Sequence, residues 1–166
     1  MPFYLNEADV VPEVAKFKSA LIVLCRFCPA VSLAVRKQTP YIELFRRFLK
    51  TEPFEQLINS MQSRLEKEGV KTSVLKGNLL NYLICMWTSG QRKKLLKLAR
   101  QYEAVVVMGC EGAYENVRDT VMAADCQVFH GMQSEGLLSV IPKVQWPFNI
   151  SLEFFSLTPI LHPKKE

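Results

Sequence analysis

Cys25-Arg26-Phe27-Cys28-Pro29 follows directly on the apolar run Ala20–Leu24, so two thiols stand where a buried strand gives way to a turn. A CxxC pair at a helix N-terminus has a depressed thiol pKa, which makes thiolate available for metal ligation or disulfide exchange. Cys110 repeats the arrangement after Ala104–Met108, between Gly109 and Gly112. Glycine lets backbone approach a bound group, and the amides that follow can cradle an anion. Cys25, Cys28 and Cys110 together make a candidate three-thiolate site for zinc or an iron–sulfur group, with Cys85 or His130 as a fourth ligand. The same thiols can serve as redox nucleophiles, or simply as small apolar residues at strand ends. One CxxC without a second leaves all three readings open.

Other side chains can work beside the thiols. Thr88-Ser89-Gly90-Gln91-Arg92 can hold a phosphate or carboxylate through hydroxyls, amides and the Arg92 guanidinium; its plainer reading is a helix N-cap. His130 is a candidate acid–base group or a polar turn residue. Glu111 can accept a proton beside Cys110 or complement a helix N-terminus. Gly109-Cys110-Glu111-Gly112-Ala113 is not a dinucleotide fingerprint, and no Walker sequence exists. Two histidines and no nucleophile elbow argue against a hydrolase triad.

The elements that must position these residues read as follows. Residues 1–18 suggest an arm or short helix. Ala20–Cys25 and Ala104–Met108 are continuous apolar runs, as in strands buried on both faces. Tyr41, Leu44, Phe45, Phe48 and Leu49 mark one apolar helix face. Thr51-Glu52-Pro53 opens a helix to Glu68, ended by Gly69. Lys71–Leu75 and Cys126–Phe129 read as strands, Gln91–Tyr102 and Glu111–Ala123 as helices, and Tyr82–Trp87 either as a strand, the preferred reading, or as the continuation of a buried helix from Leu79. Leu137–Ile141 and Ile150–Leu157 read as strands with no helix between them, joined by a proline-rich link suited to an edge or hairpin.

Alternating strands and helices imply a mostly parallel, Rossmann- or flavodoxin-like sheet flanked by helices, with a C-terminal antiparallel hairpin. The expected organisation is one α/β domain, with an arm at 1–18, a βα core at 19–130, a β extension at 131–158 and a tail at 159–166. In such a sheet ligands bind at the carboxyl ends of the strands. Cys25–Pro29, Trp87–Gln91, Gly109–Ala113 and His130-Gly131 all reach that edge in this reading.

A length of 166 residues, 49% of them hydrophobic and 22% charged, is globular composition. The net charge of +5 is modest and spread out, and the basic cluster at Arg92, Lys93, Lys94, Lys97 and Arg100 fits a solvated helix face rather than nucleic-acid binding. The first residues lack the basic-then-apolar order of a secretory signal, and no apolar run reaches the roughly 20 residues that span a bilayer. A cytoplasmic, reducing location is the expectation, with free or ligating cysteines. Two functions result. One is a ligand- or metal-binding protein with thiol chemistry on a small anionic substrate. The other is a non-catalytic subunit, or a homo-oligomer, that uses the aromatic segment Trp146-Pro147-Phe148 as an interface.

Overall fold

A computed structural model describes residues 2–43, 51–75, 83–146 and 149–160. It contains β1 (Phe3–Glu7), a single helical turn α1 (Val11–Val14), β2 (Ser19–Leu24), α2 (Cys28–Lys37), β3 (Ile42–Glu43), α3 (Glu52–Lys67) and β4 (Lys71–Val74). A 3₁₀ turn at Ile84–Met86 follows, then α4 (Ser89–Ala99), β5 (Ala104–Met108), α5 (Glu111–Val121), β6 (Gln127–His130), β7 (Met132–Gln145) and β8 (Asn149–Pro159).

Among the described residues the strands form two four-stranded sheets, one in the order β4-β2-β5-β6, the other in the order β1-β7-β8-β3. The first is wholly parallel, and the second wholly antiparallel. The strands read from apolar runs are its centre. β2 and β5 pair from Ala20↔Ala104 to Leu24↔Met108, and every residue of β5 is fully buried. A strand with neighbours on both sides and helices on both faces has no polar face to show, hence Ala104-Val105-Val106-Val107-Met108. Right-handed crossovers place the β2-to-β4 connection on one face of this sheet and the later two on the other. Accordingly α2 packs with α3, and α4 with α5.

Helix α2 is covered on two sides, by the parallel sheet and by β1. Every residue from Cys28 to Ala34 is buried, and the small Ala30, Ser32 and Ala34 permit that enclosure. Ser32 explains how a hydroxyl survives there. Its Oγ accepts the Leu5 N–H at 2.9 Å and lies 3.0 Å from the Phe3 carbonyl and 2.8 Å from the Cys28 carbonyl. Gly131 joins the two sheets: its N–H reaches the Val107 carbonyl at 2.9 Å, and its own carbonyl accepts the Ala8 N–H at 3.1 Å. A Cβ at Gly131 would stand 2.5 Å from Met108 Sδ, so any side chain at this crossing would displace Met108.

Several expectations need correction. Residues 1–18 hold more than an arm or short helix: besides the helical turn α1, β1 pairs with β7 from Phe3↔Leu137 to Glu7↔Met132, and Leu5 is fully buried. A partner 130 residues away in sequence, invisible in local pattern, makes that strand. The expected strand Tyr82–Trp87 is not one over its described part. Ile84 and Trp87 are buried while Cys85 and Met86 are exposed, a three-residue rhythm that belongs to the 3₁₀ turn. The Ile84 carbonyl is taken by Asn116 Nδ2 at 2.7 Å instead of a sheet neighbour. Tyr41 lies in a bend and Ile42–Glu43 pairs with β8; Leu44, Phe45, Phe48 and Leu49 lie outside the described residues.

The proline-rich link belongs to a hairpin, as its composition suggested, and β7 runs through it to Gln145. Pro142 sits opposite Leu152, beyond Leu137 where β7 no longer has β1 beside it, so its missing N–H breaks no ladder on that side. The elements from Thr51 onward otherwise agree with their patterns. Pro53 lies in the first turn of α3, and Gly69 takes φ +84° after it.

Candidate functional site

The register of β2 against β5 sets the geometry. The Cys25 N–H continues the ladder one residue past the strand, donating to the Met108 carbonyl at 2.9 Å. That brings Cys25 beside Gly109, where an added Cβ would meet Cys25 Cβ at 3.0 Å and Ala113 Cβ at 2.8 Å. Gly109 is therefore needed for close approach of the two strand ends, whatever else it does. From this point each chain enters a helix: Cys28 is the first residue of α2, and Cys110 is the N-cap of α5. Both helix N-termini, and their positive dipole ends, converge on the sulfurs.

The three thiols are brought together but are not equivalent. A hydrogen bond joins the Cys28 and Cys110 sulfurs. It raises the Cys28 pKa well above the ordinary thiol value, with burial second, and pulls Cys110 down to about 6. The Ala113 and Gly112 amides at the start of α5 also lower Cys110 without closing a short capping bond, while burial and the Glu111 charge oppose them. Thus the thiolate belongs to Cys110 and the proton to Cys28. Cys25 is pushed up, chiefly by burial, although the Ile84 and Phe27 amides face its sulfur. All three lie just under the surface, at 1% exposure for Cys25, 8% for Cys28 and 4% for Cys110.

The remaining candidates fall into place around this cluster with different roles. His130 Nε2 lies 2.8 Å from the Gly109 carbonyl, and its ring stacks on Tyr114 with centroids 4.8 Å apart. A carbonyl only accepts, so Nε2 carries the proton and is committed to backbone rather than to a thiol. The Glu111 carboxylate accepts from the Ser134 N–H at 3.2 Å and from the Ser134 hydroxyl, which ties α5 to β7. The Thr88 hydroxyl and the Gln91 side chain are engaged in a reciprocal capping box at the start of α4. Ser89, Gly90 and Arg92 are exposed there. The amides of Gly112 and Ala113, expected to cradle an outside anion, already face the Cys110 sulfur. Cys85 is exposed, and Cys126 lies beyond the cluster before β6, raised by burial. Among the described residues, no group of three or more Cys, His, Asp and Glu is arranged to hold a metal ion.

Sequence reasoning missed four contributors. Ser134 and Ser32 carry no local signal, since each owes its role to a strand or helix distant in sequence. Asn116 had one: it is a polar residue on the buried face shared with Ala113 and Val117. Its Nδ2 holds the Ile84 carbonyl, and its Oδ1 and the Trp87 indole Nε1 are buried without hydrogen-bond partners among the described residues. Arg26, inside the CxxC, pairs with Glu55 of α3 and so anchors the loop that carries Cys28.

A long hairpin lies apart from this edge. The face of β7 that buries Leu138 continues as Val140, Pro142 and Val144, and β8 places Phe154, Leu152 and Ile150 opposite them. Here the apolar face runs into solvent, with Val144 77% and Phe154 53% exposed. Phe155, the extra residue of the β8 bulge, and Trp146 at the tip are also exposed, while Pro147 and Phe148 lie outside the described residues. Lys143 and Glu153 pair on the opposite face.

Protein-family models, curated proteins and solved structures give no match to the chain. Among the described residues no helix is long and apolar enough to cross a membrane.

Proposed function

We propose that the chain is a ligand-binding protein with thiol chemistry, its site at the carboxyl edge where β2 and β5 end. The observation that carries this reading is the hydrogen bond between the Cys28 and Cys110 sulfurs, with Cys110 on the first amides of α5. A buried pair serving only as small apolar residues needs no such division of one proton between two sulfurs. The strand order supports the location. In chain order the parallel strands run second, first, third, fourth, the flavodoxin-like pattern whose switch point falls between the first and third strands. Those are β2 and β5, and Cys25, Cys28 and Cys110 follow them. Since the Cys110 sulfur already faces the first amides of α5, the ligand is better taken as a soft electrophile than as an anion. A single α/β domain in a reducing compartment suits free thiols of this kind.

The test is alkylation with iodoacetamide across pH, followed at each cysteine by mass spectrometry. The rate at Cys110 is expected to rise through a midpoint near 6, far below the ordinary 9.0. The midpoint reports ionisation separately from access. A Cys110 midpoint at the ordinary thiol value removes the reading.

A second reading, an interaction module, is favoured by the hairpin's exposed apolar face. Val144→Glu and Phe154→Glu change exposed positions, so the fold is expected to survive them. Sedimentation of the full chain is expected to show concentration-dependent association that both variants abolish. If the wild-type chain sediments as a monomer throughout, self-association by this face is excluded.

A further inference from the structure

We propose that Cys28 and Cys110 form a dithiol–disulfide couple that exchanges with small disulfides, Cys110 attacking and Cys28 resolving. The proposal rests on the thiol reading of the site and gives it a substrate class. Three features of the geometry assign the roles. First, the two sulfurs are already hydrogen-bonded, although 82 residues of chain separate them, because β2 and β5 are neighbours in register. Second, Cys110 is the thiol placed on the amides of an 11-residue helix, whereas Cys25 is the more deeply buried and has its own amide partners. A charged nucleophile is stabilised in the first position and penalised in the second. Third, what keeps the proton on Cys28 is chiefly Cys110 itself, through the hydrogen bond and through its charge. When Cys110 is consumed in a mixed disulfide, both influences vanish. Burial still holds the Cys28 thiol up, and the Phe3 amide that faces its sulfur opposes it. The first step thus removes the largest cause that keeps the proton on the resolving thiol.

The chemistry balances without a metal or other oxidant. The Cys110 thiolate attacks one sulfur of RS–SR; that S–S bond breaks, the Cys110–SR bond forms, and RS⁻ leaves and takes a proton from water. Cys28 gives its proton to water and attacks Cys110 Sγ. The Cys110–SR bond breaks, the Cys28–Cys110 bond forms, and the second RS⁻ leaves to be protonated. Two electrons pass from the protein thiols to the small disulfide, which is reduced to two thiols.

The test equilibrates the reduced full chain with hydroxyethyl disulfide, a small neutral probe suited to sulfurs just under the surface. After quenching with an alkylating reagent, the peptides are mapped without reduction. The expected product is one intramolecular disulfide linking Cys28 to Cys110. Cys28→Ser is expected to accumulate the hydroxyethyl adduct on Cys110, and Cys110→Ser to lose both adduct and disulfide. A wild-type map showing no Cys28–Cys110 link, or a link through Cys25 instead, overturns the proposal and needs no variant to fold. The two levels of inference separate cleanly. A low midpoint for Cys110 alkylation without the disulfide sinks the couple and keeps the thiol site; an ordinary midpoint sinks both.

Discussion

The carboxyl edge of the parallel sheet and the distal half of the hairpin are built from similar residues with opposite outcomes. At the edge, Cys25, Cys28 and Cys110 are closed over, and their polarity is set by helix ends and by one another. On the hairpin, Val144 and Phe154 sit on a face continuous with the core, yet they stand in water. The difference is one of layers. β2 and β5 have neighbours on both sides along their length, whereas past Leu137 β7 has lost β1 and, among the described residues, β8 gains only the two residues of β3. A ribbon so thinly flanked leaves its apolar face in water. Burial confers stability on one region, and its lack confers availability on the other.

The largest test of that contrast compares two phenylalanines. Phe54 of α3 is fully buried and Phe154 is half exposed. Phe54→Ala is expected to cost about 3–5 kcal/mol in urea unfolding, against less than about 1 kcal/mol for Phe154→Ala. Similar losses at both would mean that the hairpin face is as much a core as α3.

Two glycines sharpen it. A Cβ at Gly136 would stand 2.4 Å from the Thr158 carbonyl oxygen, and one at Gly109 would press on Ala113 and Cys25. Each Gly→Ala change is expected to cost about 1–3 kcal/mol through overpacking. Only Gly109→Ala is expected also to move the pH midpoint of Cys110 alkylation. If Gly136→Ala moves it equally, the edge and the hairpin are mechanically one region.

The pH dependence of stability belongs to the edge alone. Unfolded, both thiols titrate near the ordinary 9.0; folded, Cys110 is lowered to about 6 and Cys28 is raised. Between those pH values the unfolded chain holds a proton that Cys110 has shed, so stability climbs as pH rises from about 6 towards about 9. The Cys110 contribution is therefore present at high pH and lost as pH falls through about 6. Cys28 has the opposite sign. Its contribution is present below the ordinary value and lost as pH rises towards its raised one, so stability falls again above about 9. Denaturation under reducing conditions should show the rise in wild type and its loss in Cys110→Ser. An unchanged slope in the variant would dissociate the trend from this pair.

These regions differed equally in how far their sequences disclosed them. Ala104–Met108 declares a buried strand because both its faces are covered, and Cys110 and Cys28 were placed correctly at helix starts by what precedes them. The unequal protonation of the pair was not legible, since it arises from a contact between residues 28 and 110 that only β2–β5 register creates. Likewise Thr88 announced a cap and proved to be one, whereas Glu111 gave no hint that its carboxylate would turn to Ser134. The strand at Phe3–Glu7 and the extension of β7 through Pro142 depend on partners far along the chain. Local periodicity records which face is buried. It does not record by what.

The smallest expected effect on stability is the most informative about the edge. Arg26 and Glu55 pair at 23% and 30% side-chain exposure, across the gap between the CxxC loop and α3. A partly exposed pair contributes about 1 kcal/mol or less, so Glu55→Gln should barely shift the unfolding midpoint. Its consequence is local. The loop between Cys25 and Cys28 has α3 as its tether through Arg26, and Cys28 and Cys110 lie just beneath the surface. Loosening the tether should raise the alkylation rate of Cys110 several-fold at constant pH midpoint, because access changes while the helix amides and Cys28 still set its charge. If instead the midpoint moves with the rate, Arg26 contributes to the charge of the thiolate. An unchanged rate would assign access to some other motion than that of the loop.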